Sequence, residues 1–160
     1  MFARNIAPGL YRYFSFENWN LLPQWYFDEL RKEAKEKIFP KKYSVIASDI
    51  DDEVLEKARI NAKNAKVDDS ITFLKKDFKE YKYEKMTGTL LSNPPYGLRL
   101  KDDDLKGMYK DINMILDKNK ELSGGIITAY TDFDHLINLN HYKKRKLYNG
   151  NELCHLYGKK

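Results

Sequence analysis

Leu90-Leu91-Ser92-Asn93-Pro94-Pro95-Tyr96-Gly97-Leu98-Arg99 is the stretch from which the fold and the chemistry of the chain can both be read. Gly88 to Ser92 reads as a short buried strand that two prolines end abruptly. In an α/β sheet such a strand end faces the crevice where ligands sit. The residues after it suit methyl transfer to an exocyclic amino group. An aromatic amine is a poor nucleophile because its lone pair is delocalised into the ring. The Asn93 side-chain oxygen and the Pro94 carbonyl can both accept from that NH2, and proline offers no competing donor. Two acceptors localise the lone pair and aim it at an electrophilic methyl, with little acid or base chemistry required. Tyr96 would stack on a base swung out of its helix or loop. Read alone, Asn-Pro-Pro-Tyr is also a common proline-rich turn. Its position after an apolar strand, downstream of two acidic strand ends, favours the functional reading.

The bulk of the chain supports one soluble domain over residues 1–160. Apolar residues make up 42% and charged ones 33%, which excludes a disordered chain. No apolar run has the length of a membrane span, and the first residues lack a signal-peptide block. The single cysteine, Cys154, is expected as a free core thiol in a reducing cytoplasm. A net charge of +5 leans mildly toward a polyanionic partner.

Outward from the central stretch, helices and strands alternate. Met1 to Ile6 resemble the last turns of a helix stopped by Pro8-Gly9. An aromatic loop from Ser15 to Gln24 precedes an amphipathic helix from Trp25 to Ile38, with Phe27, Leu30, Ala34 and Ile38 on one stripe. Its Arg31, Lys32, Lys35 and Lys37 are expected on a solvated face. Tyr43 to Asp49 reads as a strand, and Asp52 to Ala65 as a helix capped by Asp51, with Val54, Leu55, Ala58 and Ala62 buried. Ile71 to Lys75 is a further strand running toward Asp77. A helix from Asp104 to Leu116 carries Leu105, Met108, Tyr109, Ile112, Ile115 and Leu116 at helical spacing. Gly124-Gly125 is expected to open a strand over Ile126 to Tyr130, followed by a short helix with Phe133, Leu136 and Ile137. The remainder reads as a hairpin, Arg145 to Tyr148 and Leu153 to Tyr157, around Asn149-Gly150. The fold class is therefore α/β: a mostly parallel sheet with an antiparallel hairpin.

Asp49, Asp77 and Asn93 each stand at or just past a strand end, and ends of parallel strands share one edge. A carboxylate at the first position can accept both hydroxyls of a ribose. One at the second can accept from an adenine amino group, with Ile50 and Phe78 sandwiching the ring. Either aspartate alone is equally well explained as a cap or turn residue. His135, His141 and His155 have no metal-ligand spacing with Cys154, and no metal is assigned. Lys143-Lys144-Arg145-Lys146 is expected as a solvated hairpin strand, with phosphate contact the alternative.

Ser48-Asp49-Ile50-Asp51, Lys76-Asp77-Phe78 and Ser92 to Arg99 together resemble the class I S-adenosylmethionine-dependent methyltransferases, with a Rossmann-like sheet. Within them the chain is similar to the THUMP-associated RNA guanine-N2 methyltransferases, especially the bacterial large-subunit rRNA type. Ala3 to Gly9, Phe14 to Trp19 and Lys144 to Asn151 extend the resemblance over essentially the whole chain. It implies that Asp49 binds the cofactor ribose, that Ile50, Asp77 and Phe78 hold its adenine, and that Asn93, Pro94, Pro95 and Tyr96 form the catalytic target-base site. Arg99 is a candidate substrate contact through phosphate or carboxylate. S-adenosyl-L-methionine is the implied cofactor and large-subunit rRNA the implied partner. The family's first strand, its glycine-rich loop and a THUMP domain are not found in these residues. The chain is therefore expected to be an N-terminally truncated domain or one half of a split enzyme, inactive or impaired alone. A separate or preceding segment would complete the sheet between the strands ending at Asp49 and Ser92. Without it, two strand edges and much apolar surface are expected to be exposed. The alternatives are a non-catalytic RNA-binding or assembly module and a DNA adenine amino methyltransferase.

Overall fold

The computed structural model describes residues 1–19, 21–96 and 102–159. Gly97, Leu98 and Arg99, with the substrate contact expected of Arg99, lie outside the described residues. The chain falls into two compact units, Met1–Asp77 and Phe78–Lys160.

In the first unit a short 3-10 turn, Phe2–Arg4, stands where the end of a longer helix is expected, and Asn5 closes it at φ 54. A second 3-10 turn, Ser15–Asn18, leads to helix α1, Gln24–Glu36. Arg31 departs from the solvated face expected of it. Its guanidinium lies 2.6 Å from both carboxylate oxygens of the buried Glu17 and over the Tyr13 ring. Glu17 also accepts from the Phe14 backbone N–H at 2.9 Å. An Arg-carboxylate pair of this geometry ties the aromatic loop to α1, a role that periodicity does not reveal. Strand β1, Val45–Asp49, pairs in parallel with β2, Ile71–Lys75, through helix α2, Asp52–Asn64. The expected cap is present: an Asp51 side-chain oxygen accepts from the Glu53 N–H at 2.8 Å. Of the expected α2 stripe, Leu55 and Ala62 are buried and Ala58 half-buried, but Val54 is 44% exposed. Within this unit a two-stranded sheet has too little covering material to bury a whole stripe.

The second unit holds the larger core. Strand β3, Gly88–Ser92, pairs in parallel with β4, Leu122–Thr128. Antiparallel β6, Glu152–Lys159, and β5, Tyr142–Asn149, complete the order β3-β4-β6-β5. Helix α3, Asp102–Lys118, and the short α4, Phe133–Leu136, pack on this sheet. All six apolar residues of the α3 stripe are buried and cluster with Leu122, Ile126, Phe133 and Tyr157. Cys154 is a buried free thiol, as expected. The α3 C-terminus is closed by the Lys159 ammonium, which donates to the carbonyls of Leu116 and Asn119. No described helix is long and apolar enough to cross a membrane.

Two strand expectations are corrected. β3 is not buried: Leu91 is 77% exposed, and Leu90 alone of the strand's leucines reaches the core. Gly124 and Gly125 do not open β4 but lie within it, opposite Leu90 and Leu91. The register explains the first glycine. A Cβ at Gly124 would stand 2.1 Å from the Leu90 carbonyl oxygen, so no side chain fits there. Among the described residues β1 and β3 each pair along one edge only, and Ile46 and Ile50 are 63% and 65% exposed.

Gly124→Ala is expected to destabilise the second unit by more than about 2 kcal/mol, because backbone rather than a mobile side chain must yield. Gly150→Ala, at φ +61 with open space around it, should cost about 1–2 kcal/mol from backbone strain alone. Urea denaturation of the two variants checks the ordering.

Candidate active site

The first unit carries one carboxylate-bearing edge. Asp49 ends β1 opposite Lys75 of β2, and the Lys76 N–H donates to the Asp49 carbonyl at 3.0 Å. Asp77 follows two residues after β2, so both aspartates leave the C-terminal edge of the same parallel pair. One oxygen of Asp49, Oδ1, accepts from the Asp51 N–H at 2.9 Å and shapes the turn into α2. Its other oxygen makes no hydrogen bond among the described residues. Asp49 therefore serves the turn and still presents an acceptor. Ile50 beside it is largely exposed, and Asp77 is half-buried.

The second unit, described by itself, carries the Asn-Pro-Pro-Tyr segment at the end of β3. Asn93 is exposed, Pro94 buried, Pro95 exposed and Tyr96 half-buried. Neither the Asn93 side chain nor the Pro94 carbonyl is engaged in a hydrogen bond among the described residues. The Pro95 carbonyl is different: it lies 3.2 Å from the hydroxyl of Tyr109, a residue of α3 with no exposed surface. The same hydroxyl bonds Thr128 at the end of β4, and the Tyr130 N–H donates to Thr128 Oγ1 at 2.9 Å.

The direction of this chain follows from its ends. A carbonyl only accepts, so the single phenol proton of Tyr109 goes to Pro95, and Thr128 must donate to Tyr109. Thr128 Oγ1 then has a lone pair for the Tyr130 amide. Every member is satisfied, and the order Tyr130, Thr128, Tyr109, Pro95 is fixed. Stacking of Tyr109 on Tyr130, with centroids 4.7 Å apart, holds the phenol in place. Burial pushes the Tyr109 phenol up to about 12, so it keeps its proton well above neutral pH. The effect is to immobilise the Pro95 carbonyl, in the same segment as the Asn93 side chain and the Pro94 carbonyl.

Phe78 opens the second unit, and its ring packs half-buried against the α3 cluster. Tyr96 is held from the hairpin: the Asn149 side-chain amide donates to its hydroxyl at 2.7 Å. Periodicity had marked Tyr109 only as core, and nothing in the sequence tied Thr128 or Asn149 to the site. A threonine within the apolar run Ile126 to Tyr130 was the one available signal, because a buried hydroxyl needs a partner.

Tyr109→Phe is expected to keep the stacking but strand the Thr128 hydroxyl and the Pro95 carbonyl, costing about 1–3 kcal/mol in urea denaturation. The folded phenol titrates near 12 against 10.0 unperturbed, so the folded state holds more protons in that window and stability falls as pH rises through it. The variant should lose part of that alkaline decline.

Comparison with known proteins places this geometry in a family. Residues 1–158 match the UPF0020 model, described as RMKL-like, methyltransferase domain. The chain is 32% identical over 163 aligned residues to ribosomal RNA large subunit methyltransferase K/L of Shewanella woodyi, covering 96% of this chain and 23% of that protein. It is 31% identical over 152 residues to YpsC of Bacillus subtilis, covering 94% of this chain and 40% of YpsC. The chain thus spans well under half the length of these relatives. Among solved structures, SMU.472 complexed with SAH superposes with a TM-score of 0.86 at 33% identity, over 99% of this chain and 43% of that one. A possible methylase from Clostridium difficile 630 gives a TM-score of 0.88 at 38% identity, with 99% and 43% covered. An α/β chain with a proline-terminated strand, two acidic residues on a parallel strand edge and a family match over nearly its full length belongs to the UPF0020 family of RMKL-like methyltransferase domains.

Proposed function

We propose that this chain forms part of an S-adenosylmethionine-dependent enzyme that methylates the exocyclic amino group of guanine in rRNA. The observation that carries the reading is the pair of acceptors, Asn93 and Pro94, unengaged among the described residues, beside a Pro95 carbonyl pinned by Tyr109. A base amine donating to both acceptors has its lone pair turned away from the ring. The Asn93 and Pro94 acceptors would thus present the amine nitrogen to a methyl donor, and its surplus proton would leave to water. Tyr96 stacks on the base. S-adenosylmethionine, when bound, supplies the sulfonium methyl as the electrophile.

Asp49, Ile50 and Asp77 of the first unit, with Phe78 at the start of the second, are the candidates for the adenosine half of that cofactor. The open oxygen of Asp49 suits a ribose hydroxyl, and exposed Ile50 offers an apolar surface to the adenine, with Asp77 and Phe78 as the remaining candidates. SMU.472, which matches nearly the whole chain, was solved with SAH. The K/L relatives carry a ribosomal RNA name, and the net charge of +5 suits a polyanion. A further segment, on the same or another polypeptide, supplies strand partners to the open edges of β1 and β3. Exposed Ile46 and Leu91 at those edges support this, and the chain matches only 23–40% of YpsC and the Shewanella enzyme. Adenine in DNA is the second reading, favoured by one 30%-identical Listeria monocytogenes structure described as a predicted N6-adenine-specific DNA methylase.

Calorimetry with S-adenosylmethionine is expected to show binding that Asp49→Ala weakens about tenfold or more, through loss of charge-assisted hydrogen bonds. No heat at millimolar cofactor would instead indicate a non-catalytic module. With an upstream family segment supplied, tritiated methyl should pass to unmodified large-subunit rRNA in preference to tRNA or DNA. Asn93→Ala should lower the rate about 10²–10³-fold while leaving cofactor affinity intact. Preferential labelling of DNA adenine would overturn the rRNA reading.

A further inference from the structure

The β5–β6 hairpin is bound to the candidate site at its tip and carries an unbalanced charge along its length. The Asn149-Gly150 pair suggests a turn with Asn149 inside it, but the ladder continues through Asn149, which pairs with Glu152. Gly150 and Asn151 alone form the loop, and Gly150 takes the positive φ of 61. Asn149 is thus the last residue of the strand, and its side chain is directed to the Tyr96 hydroxyl 53 positions earlier in sequence.

From Tyr142 to Lys159 the hairpin contains five Lys or Arg residues and one carboxylate, Glu152. Lys144 is already committed, donating to Asp134 and lying over the Tyr157 ring. Lys143, Arg145 and Lys146 are exposed and make no ion pair among the described residues. Directly before Asn149, Tyr148 is 67% exposed, with the Lys146 ammonium 5.6 Å from its ring centroid. A buried core would want this ring, and the hairpin instead shows it to solvent next to cations. Aromatic faces beside unpaired cations on an exposed strand are the elements of a single-strand nucleic-acid contact.

We propose that this hairpin is the RNA-holding arm of the site. Tyr148 stacks on a base of the bound strand and Lys146, on the same face of β5, holds an adjoining phosphate; Lys143 and Arg145 project from the opposite face, shared with Asn149, and hold phosphates where the RNA passes around the β5 edge of the sheet, while Asn149 is a positioning residue that keeps Tyr96 in register with the arm. The proposal rests on the RNA reading above and identifies which surface meets the strand outside the base pocket.

The test is fluorescence anisotropy of the whole chain with a short fluorescein-labelled single-stranded RNA and with an abasic oligomer of the same length. Tyr148→Ala should weaken RNA binding about fivefold or more and leave the abasic oligomer unaffected. Replacing Lys143, Arg145 and Lys146 together by Gln should flatten the dependence of log K on log salt by about two units between about 50 and 200 mM. Asn149→Ala should weaken binding when Tyr96 is present and have no effect in a Tyr96→Phe background, a coupling that general loosening of the hairpin would not produce. Wild type that binds RNA, with Tyr148→Ala equal to it or an unchanged salt slope, overturns the arm and leaves the RNA reading standing. Equal Asn149→Ala losses in both backgrounds overturn the positioning role. Wild type that binds no RNA removes the RNA reading and the arm with it. Since Tyr148 is exposed, unchanged circular dichroism of its variant shows that the fold is not the cause.

Discussion

The phenol of Tyr109 is the constraint on which the second unit depends, because one side chain meets two demands. Its ring belongs to the apolar cluster, stacked on Tyr130 and tilted 5.2 Å from Phe133. Its hydroxyl fixes a carbonyl of the Asn-Pro-Pro-Tyr segment. Packing places the ring with little freedom, and the ring then places the hydroxyl. The proline-rich segment therefore inherits the rigidity of the core although three of its four residues lie at or near the surface. Positioning of this kind matters more for methyl transfer than acid or base strength, since the reaction asks for alignment of a lone pair rather than a strong base.

The two units divide the work unequally. The second buries the α3 stripe, four strands and the short α4 around one cluster. The first buries few apolar side chains, among them Ile6, Leu10, Leu55 and Ala62, and is tied by polar contacts such as Arg31 to Glu17 and Arg4 to Asp69. Hydrogen bonds and ion pairs define geometry well but add modest net stability, so a parallel strand pair with little cover remains marginal by itself.

Much of this was legible in the sequence, for identifiable reasons. The α3 stripe was plain because six apolar residues recur at helical spacing, and the end of β3 was plain because two prolines cannot continue a strand. Asp49 and Asp77 were placed on one edge by topology alone, since both follow parallel strands. What the sequence hid depends on contacts between distant positions. Arg31 looked like one more surface cation until Glu17 appeared across from it. Tyr109 counted as core because periodicity weighs the ring and ignores the oxygen. Gly124 looked like a strand opener, when its meaning lies in how closely the Leu90 backbone approaches. Asn149 was masked by the strongest short hairpin signal available, which assigns asparagine to the turn.

The closure of α3 by Lys159 bears on the order in which the chain can fold. The Leu116 carbonyl near the end of that helix finds its partner, Lys159, 43 positions further on, and Met86 likewise reaches Asn119 across 33 positions. A ribosome releases α3 long before β6, so this contact must wait for the hairpin to arrive. Local helix formation can be fast, but completion of this unit is set by long-range closure, which slows folding and prolongs exposure of the apolar stripe to solvent and to chaperones.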